Sequence, residues 1–333
     1  MQSPLAFVEG VRHPEAFHGR GRSHNFFEGW YIKLVSPDAA QRWAVIPGIF
    51  RGLQSAGNPG SADMSFVQVL DGQTGRSWFH EYPVTLFRAS TNSFDVWVGD
   101  NHFSPDGVEL NLPQLKGTIQ YTSPLDPWPV TLASPGIMGW YGLVPFMECF
   151  HGIVSFGHGL SGEISVEGKP VSFDSGRGYI EKDWGRAFPA GYVWMQSNHF
   201  ASEPEASLIA SVAIIPWLGG AFRGFIIGLK HHGKLHKWTT YNKTREVQLS
   251  IDDTHVVWSV SGPDGVLEIV AERAAGGLLH APLRTAMYRR VEETMQAVVA
   301  VRHLSESGKL LFEDSGLNAS MEVFGDLDRL LRI

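Results

Sequence analysis

Apolar and polar residues alternate with a period of two along much of the chain. Glu163-Ile164-Ser165-Val166-Glu167 and Glu246-Val247-Gln248-Leu249-Ser250-Ile251-Asp252 are the clearest cases. That spacing puts successive side chains on opposite faces of a strand. The same reading predicts strands over 27–35, 64–71, 94–98, 192–200, 207–215, 266–272, 295–303 and 309–314. Turn signals stand between them: Asp71-Gly72, Pro105-Asp106-Gly107, Glu167-Gly168-Lys169-Pro170, His232-Gly233, Pro263-Asp264-Gly265 and Ser307-Gly308. Gly and Asp tolerate the positive φ that tight hairpins need. With 37 Gly and 19 Pro there is little room for long helices, and only 326–331 reads as one, short and terminal.

Many evenly spaced antiparallel strands joined by tight turns imply an all-β protein of barrels or sandwiches. A chain of 333 residues is large for one barrel, so the expectation is two β-barrel or sandwich domains packed together. Their boundary is expected near 174–178, dividing the chain into 1–177 and 178–333.

Composition narrows the partners. Hydrophobic residues make up 43% of the chain, ample for a large core. The formal net charge is −7 with no clustered basic stripe, which argues against a nucleic-acid partner. A single cysteine, Cys149, excludes an internal disulfide and a cysteine-based zinc site, and permits a reducing compartment. The polar N-terminus has no apolar core of a signal peptide and reads poorly as a transit peptide. The longest apolar run, 208–222, is broken by Ser211, Pro216 and Gly219-Gly220, and falls short of the roughly 20 residues of a membrane span. Cytoplasmic residence is the expectation.

Some motif matches have plainer readings. Gly157-His158-Gly159-Leu160-Ser161-Gly162 has dinucleotide-binding spacing but precedes a strand, so no helix N-terminus awaits a pyrophosphate. His231, His232 and His236 flank Gly233 at a lysine-rich hairpin tip and read as solvent-exposed turn residues, with no metal site expected.

Two segments resist such readings. One is His24-Asn25-Phe26-Phe27-Glu28-Gly29-Trp30-Tyr31. The other runs from Tyr179-Ile180-Glu181-Lys182-Asp183-Trp184-Gly185-Arg186 through Phe188-Pro189 into Trp194, Gln196 and Asn198. On a strand over 192–200, Tyr192, Trp194, Gln196, Asn198 and Phe200 share a face. Aromatics mixed with amides suit the wall of a ligand cavity, which is mostly apolar with a few converging polar groups. The plainer alternative makes Glu181, Lys182 and Asp183 a salt-bridged turn locking the halves together, and Glu28 a cap at a strand entrance.

These segments resemble the tocopherol cyclase family. Its Phe-Phe-Glu-Gly-Trp-Tyr stands here at 26–31, and its Tyr-x-Glu-Lys-(Asn/Asp)-Trp-Gly, Phe-Pro, Trp, Gln and Asn at 179–198. A looser match runs from Leu279-His280-Ala281-Pro282 to Phe312-Glu313, Asn318-Ala319 and Met321-Glu322. Glu148 and His151 are one residue further apart than in the plant enzymes, and Ser197 replaces the cysteine that follows Gln there. The resemblance implies two lipocalin-like domains and a soluble protein acting on an apolar prenylated ligand. It also implies closure of a chromanol ring from a prenylated hydroquinone, with no metal or redox cofactor.

Such a closure protonates an alkene and captures the cation with a phenol oxygen. A carboxyl raised by apolar burial can supply the proton, and Asp183, Glu181 and Glu28 are the candidates. Lys182 or Arg186 is expected to pair the other carboxylate. Trp30, Tyr31, Trp184 and Trp194 can stabilise the cation, while Gln196 and Asn198, with His151 and Tyr179, complete the expected binding set. A non-catalytic isoprenoid carrier and a hydratase remain open alternatives. The segment 136–146, apolar and glycine-rich, is expected as a buried connection or as a mouth loop making transient contact with a membrane surface.

Overall fold

The computed structural model describes residues 4–52, 63–131 and 134–333. It is nearly all β and lipocalin-like, in two units. The first comprises the described residues of Met1–Asp71 with Arg76–Phe188 and Leu279–Arg290; the second comprises Gly72–Gly75, Pro189–Leu278 and Val291–Ile333. The main boundary therefore falls at Phe188/Pro189 and not at 177/178. The strand Gly176–Gly185 is the reason, because it is hydrogen-bonded on both sides within the first unit.

Among the described residues the first sheet contains β1 (Phe26–Val35), β2 (Arg42–Arg51), β3 (Met64–Asp71), β4 (Ser77–Tyr82), β5 (Phe87–Ala89), β6 (Val96–Val98), β7 (Asn101–Ser104), β8 (Gly107–Asn111), β9 (Leu115–Tyr121), β10 (Cys149–Val166), β11 (Lys169–Ser172) and β12 (Gly176–Gly185). Their order is β4-β3-β2-β1-β12-β10-β9-β8-β7-β6-β5, with β11 beside β10. Trp30, Val67, Val98, Phe103, Ile119 and Ile180 come from distant places in that order yet share one core. The sheet thus curls until one of its faces meets itself. Its outer face is not polar: Phe27, Phe50, Phe66 and Met287 form a second buried cluster there.

The second sheet holds β13 (Gly191–Ser197), β14 (Ser207–Trp217), β15 (Gly220–His231), β16 (Lys234–Thr239), β17 (Arg245–Ile251), β18 (His255–Gly262), β19 (Gly265–Glu272), β20 (Gly277–Ala281), β21 (Arg289–Leu304) and β22 (Leu310–Gly325). Its main order is β16-β15-β14-β13-β22-β21-β19-β18-β17. Val193, Met195, Ile227, Trp238, Trp258 and Val299 share its core.

Several expectations change. A helix over Pro4–Arg12 was not signalled, because a nine-residue element beginning at proline carries too little periodicity. The terminal helix, expected at 326–331, spans Leu327–Arg332, with Asp326 capping it by accepting from the Arg329 amide. Phe94 precedes its strand. The strand at 192 ends at Ser197, so alternation lapses and Phe200 joins the interior core with Val193 and Met195. The segment 136–146 forms a 3-10 turn over Gly139–Leu143, with Trp140 47%, Leu143 41% and Phe146 49% exposed, so it is not a buried connection.

Candidate active site

Strand β12 places the second motif in mid-sheet and not in a turn. Its alternation sends Ile180, Lys182 and Trp184 to one face and Tyr179, Glu181 and Asp183 to the other. The register completes both faces. Across from β12, Glu28 stands opposite Trp184, Trp30 opposite Lys182, Gly29 opposite Asp183, and Tyr31 opposite Glu181. On the other side His151 stands opposite Asp183.

The inner face carries a closed ion pair. Lys182 Nζ pairs with Glu28, donates to the Ala16 carbonyl, and lies 2.8 Å from His18 Nδ1. His18 Nε2 donates to the Gly10 carbonyl at 2.7 Å, and its Nδ1 lies between Lys182 Nζ and Glu28 Oε1, 3.0 Å from the latter. The His18 amide donates to both Glu28 oxygens at 2.9 and 3.0 Å. Burial pushes the Glu28 carboxyl up, but Lys182 and His18 outweigh it and hold it ionised. Trp30 and Trp184 flank the ammonium at 4.4 and 5.1 Å. Trp184 also stacks on His18 at 4.2 Å and on Phe150 at 5.6 Å. Trp184 and Phe150 help line a small pocket with Ile137, Met138 and Trp128.

This arrangement corrects the expected pairing. Lys182 neutralises Glu28 because alternation points it away from Glu181 and Asp183, and Arg186 donates to the Phe146 carbonyl at 3.0 Å.

The outer face carries a different cluster. His151 Nδ1 donates to Asp183 at 2.9 Å, and its Nε2, buried and without a hydrogen bond, lies 3.7 Å from Glu181. Tyr179 donates its hydroxyl to Glu181 at 2.6 Å, and the Cys149 thiol donates to Asp183 at 3.8 Å. Burial disfavours charge on His151, yet Asp183 and Glu181 prevail and raise it to about 9, so it is an imidazolium at neutral pH. Burial and the neighbouring carboxylates raise Tyr179 and Cys149, which stay neutral donors. The spacing of His151, Glu181 and Asp183 would admit a metal ion. Opposite charge and the direct hydrogen bond already account for their closeness.

Beside Asp183 stands Gly29, where a methyl group would meet Ile46 and the Pro47 carbonyl at ordinary contact distances of 3.6 and 3.7 Å. Phe27, Phe50 and Phe66 line the same face along β1, β2 and β3, and Phe188 packs on Phe27 at 5.3 Å. The segment Leu279–Arg290 straps this face. His280 donates its amide to Gln68 at 2.6 Å and stacks on Phe79 at 4.4 Å, Met287 enters the phenylalanine cluster, and Arg284 pairs with Glu148. The phenylalanine cluster and the strap escaped sequence reasoning, although 279–282 was already part of the family-like pattern.

Trp194 and Gln196 belong to the second unit, on the side of β13 away from its core, and they and Asn198, just past the strand, are buried. Tyr192 on that side donates to Glu322 at 2.5 Å. His231 and His236 are 3% and 7% exposed, so they are not solvent-exposed turn residues; only His232 of the three is exposed. The reason is that both project inward beside His303 at one end of the unit.

Comparison with known proteins is consistent across this arrangement. The family model described as tocopherol cyclase-like matches residues 113–325. A probable chloroplastic tocopherol cyclase of Oryza sativa subsp. japonica is 25% identical over 385 aligned positions, covering 97% of this chain and 80% of the relative. The chloroplastic tocopherol cyclase of Zea mays is 22% identical with the same coverage. Among solved structures, CghA with Sch210972 superposes with a TM-score of 0.55 at 11% identity, covering 90% of this chain and 88% of that one. Kievitone hydratase from Nectria haematococca gives 0.51 at 13%, covering 93% and 94%. These structural likenesses concern the fold. Among the described residues no helix is long and apolar enough to cross a membrane.

Proposed function

The chain belongs to the tocopherol cyclase-like family, and on that premise we propose that it closes an oxygen ring on an apolar prenylated hydroquinone, with the outer face of β12 supplying the proton. The observation that carries this reading is His151, held as an imidazolium between Asp183 and Glu181 on the face that also bears the phenylalanine cluster.

Asp183 in its protonated form donates to the less substituted alkene carbon. A C–H bond forms, the π bond breaks, and positive charge appears on the tertiary carbon. The carboxylate left behind faces the His151 imidazolium, so proton loss creates an ion pair in place of a lone buried anion. Tyr31 and the Phe27–Phe188 pair offer aromatic faces to the cation. The phenol oxygen then forms the C–O bond and releases its proton to Glu181. Return of that proton to the Asp183 carboxylate through solvent restores the acid, while His151 keeps a proton on each ring nitrogen and holds both carboxylates in place. The sum is an isomerisation. Capture by a held phenol outruns water because it is intramolecular.

The apolar substrate class also gives a use to Trp140, Leu143 and Phe146, which stand exposed around the 3-10 turn and form the contact with a lipid surface from which such a quinol is drawn. The deciding experiment incubates the protein with prenylated hydroquinones in D2O, followed by chiral chromatography and mass spectrometry. The expected product is one chromanol enantiomer carrying one carbon-bound deuterium. A tertiary alcohol with oxygen from labelled water would replace cyclase by hydratase. Tight quinol retention without product would make the protein a carrier. Full turnover in both Asp183→Asn and Glu181→Gln would remove the acid assignment.

A further inference from the structure

Three imidazoles meet at one end of the second unit. His231 ends β15, His236 lies in β16 and His303 lies near the end of β21. All are buried, and one ring nitrogen from each lies within 4.8 Å of the other two. His231 Nε2 and His303 Nδ1 are 2.8 Å apart, and the ring of His236 stacks on that of His231 at 4.5 Å. Unlike the His151 cluster, these groups carry no opposite charges to draw them together.

Two of the three rings have their other nitrogen held by a polar partner, as metal-bound histidines commonly do, and the third stands near a carboxylate. His303 Nε2 lies 2.6 Å from the Asp264 carbonyl, and His236 Nδ1 lies 3.5 Å from the Asp264 carboxylate. His231 Nδ1 lies 2.9 Å from His232 Nδ1, and His232 Nε2 lies 3.6 Å from Glu203. His231 Nε2 and His303 Nδ1 face each other at 2.8 Å, and His236 brings a ring nitrogen within 4.8 Å of the nitrogens they offer. We propose that His231, His236 and His303 form a three-histidine site for a divalent transition metal of the zinc class. Imidazole sets of this kind suit Zn, Cu, Ni and Fe more than the hard alkaline-earth ions.

The placement says what the ion does. Strand β16 ends the sheet order, and β21 lies five places away along it. Asp264 reinforces the same join, accepting the Lys237 amide at 2.9 Å, while Trp238 Nε1 donates to the Gly265 carbonyl at 2.9 Å. A metal held by His236 and His303 staples the end strand across the seam of the curled sheet, so binding energy adds to folding energy.

The test uses tag-free, chelator-treated full-length protein titrated with Co2+, read by visible absorption, and then displaced by Zn2+. The expected result is one equivalent with tetrahedral bands, abolished by Zn2+, together with a rise in melting temperature on metal addition. Asp264→Asn, which keeps all three ligands, should weaken binding by about tenfold to a hundredfold. His236→Asn should lose the bands. The absence of stoichiometric binding by the wild-type chain, or unchanged binding in a folded His236→Asn variant, would overturn the site and leave a hydrogen-bonded imidazole cluster in its place.

Discussion

Strand β12 carries two ionised clusters back to back, and they differ in how their charge is settled. On the inner face Glu28, Lys182 and His18 are closed on one another, with both Glu28 oxygens taken. On the outer face two carboxylates share one imidazolium, and a ring nitrogen is left without a hydrogen bond. A balanced, saturated pair has nothing to give a substrate. An unbalanced group with a loosely placed proton does. On the proposed function, residues adjacent in sequence separate into scaffold and chemistry by the parity of their position.

Substitutions on each face test that division. The largest effect is expected from Asp183→Asn, which should lower turnover by about a hundredfold to ten-thousandfold, the usual worth of a general acid. Its melting temperature should move little, because the side chain is 27% exposed. Glu28→Gln should do the reverse. It strands Lys182 as a buried, unpaired charge and should cost about 3–5 kcal/mol of stability by urea denaturation, while the folded fraction keeps its turnover number. The division fails if Glu28→Gln leaves stability untouched while erasing turnover.

The pH dependence sharpens the same contrast. His151 sits at about 9 when folded and near 6.5 when unfolded, so its charge stabilises the native state. That contribution is complete below pH 6.5 and fades as pH rises through 9. Wild type should lose melting temperature over this window more than His151→Gln, and its turnover should fall on the same limb. Parallel melting curves for the two proteins would contradict the imidazolium.

Smaller effects are expected at the margins. Gly29→Ala adds one methyl group beside Asp183 at ordinary contact distance, so stability should hold while KM for a bulky quinol rises about tenfold. Trp140→Ser should leave turnover on detergent-dispersed substrate unchanged and reduce flotation with liposomes. Equal flotation would remove the lipid-contact role of the 3-10 turn.

The strand pattern was legible because period-two alternation is local. Both motifs could also be read as chemistry, since charge beside aromatics is rare in a plain core. Pairing partners were not legible. The neutralisation of Lys182 by Glu28, 154 positions away in the chain, depends on β1 lying beside β12 with Glu28 two residues from Trp30, the partner of Lys182 in the register. The histidines at 231 and 236 read as a wet hairpin tip because His303 and the Asp264 turn, which bury them, arrive from elsewhere in the chain.

By itself the sequence determined an all-β chain and its family likeness, and it singled out two motifs that mix charge with aromatics. Alternation, turn residues and motif order are encoded within a few neighbouring positions. The tertiary structure alone decided that the second motif completes the first sheet, that Glu28 is neutralised while Asp183 and Glu181 share His151, and that a histidine trio closes one end of the second unit. Charge balance and burial are sums over everything that surrounds a group, and strand pairing supplies most of those surroundings from distant sequence.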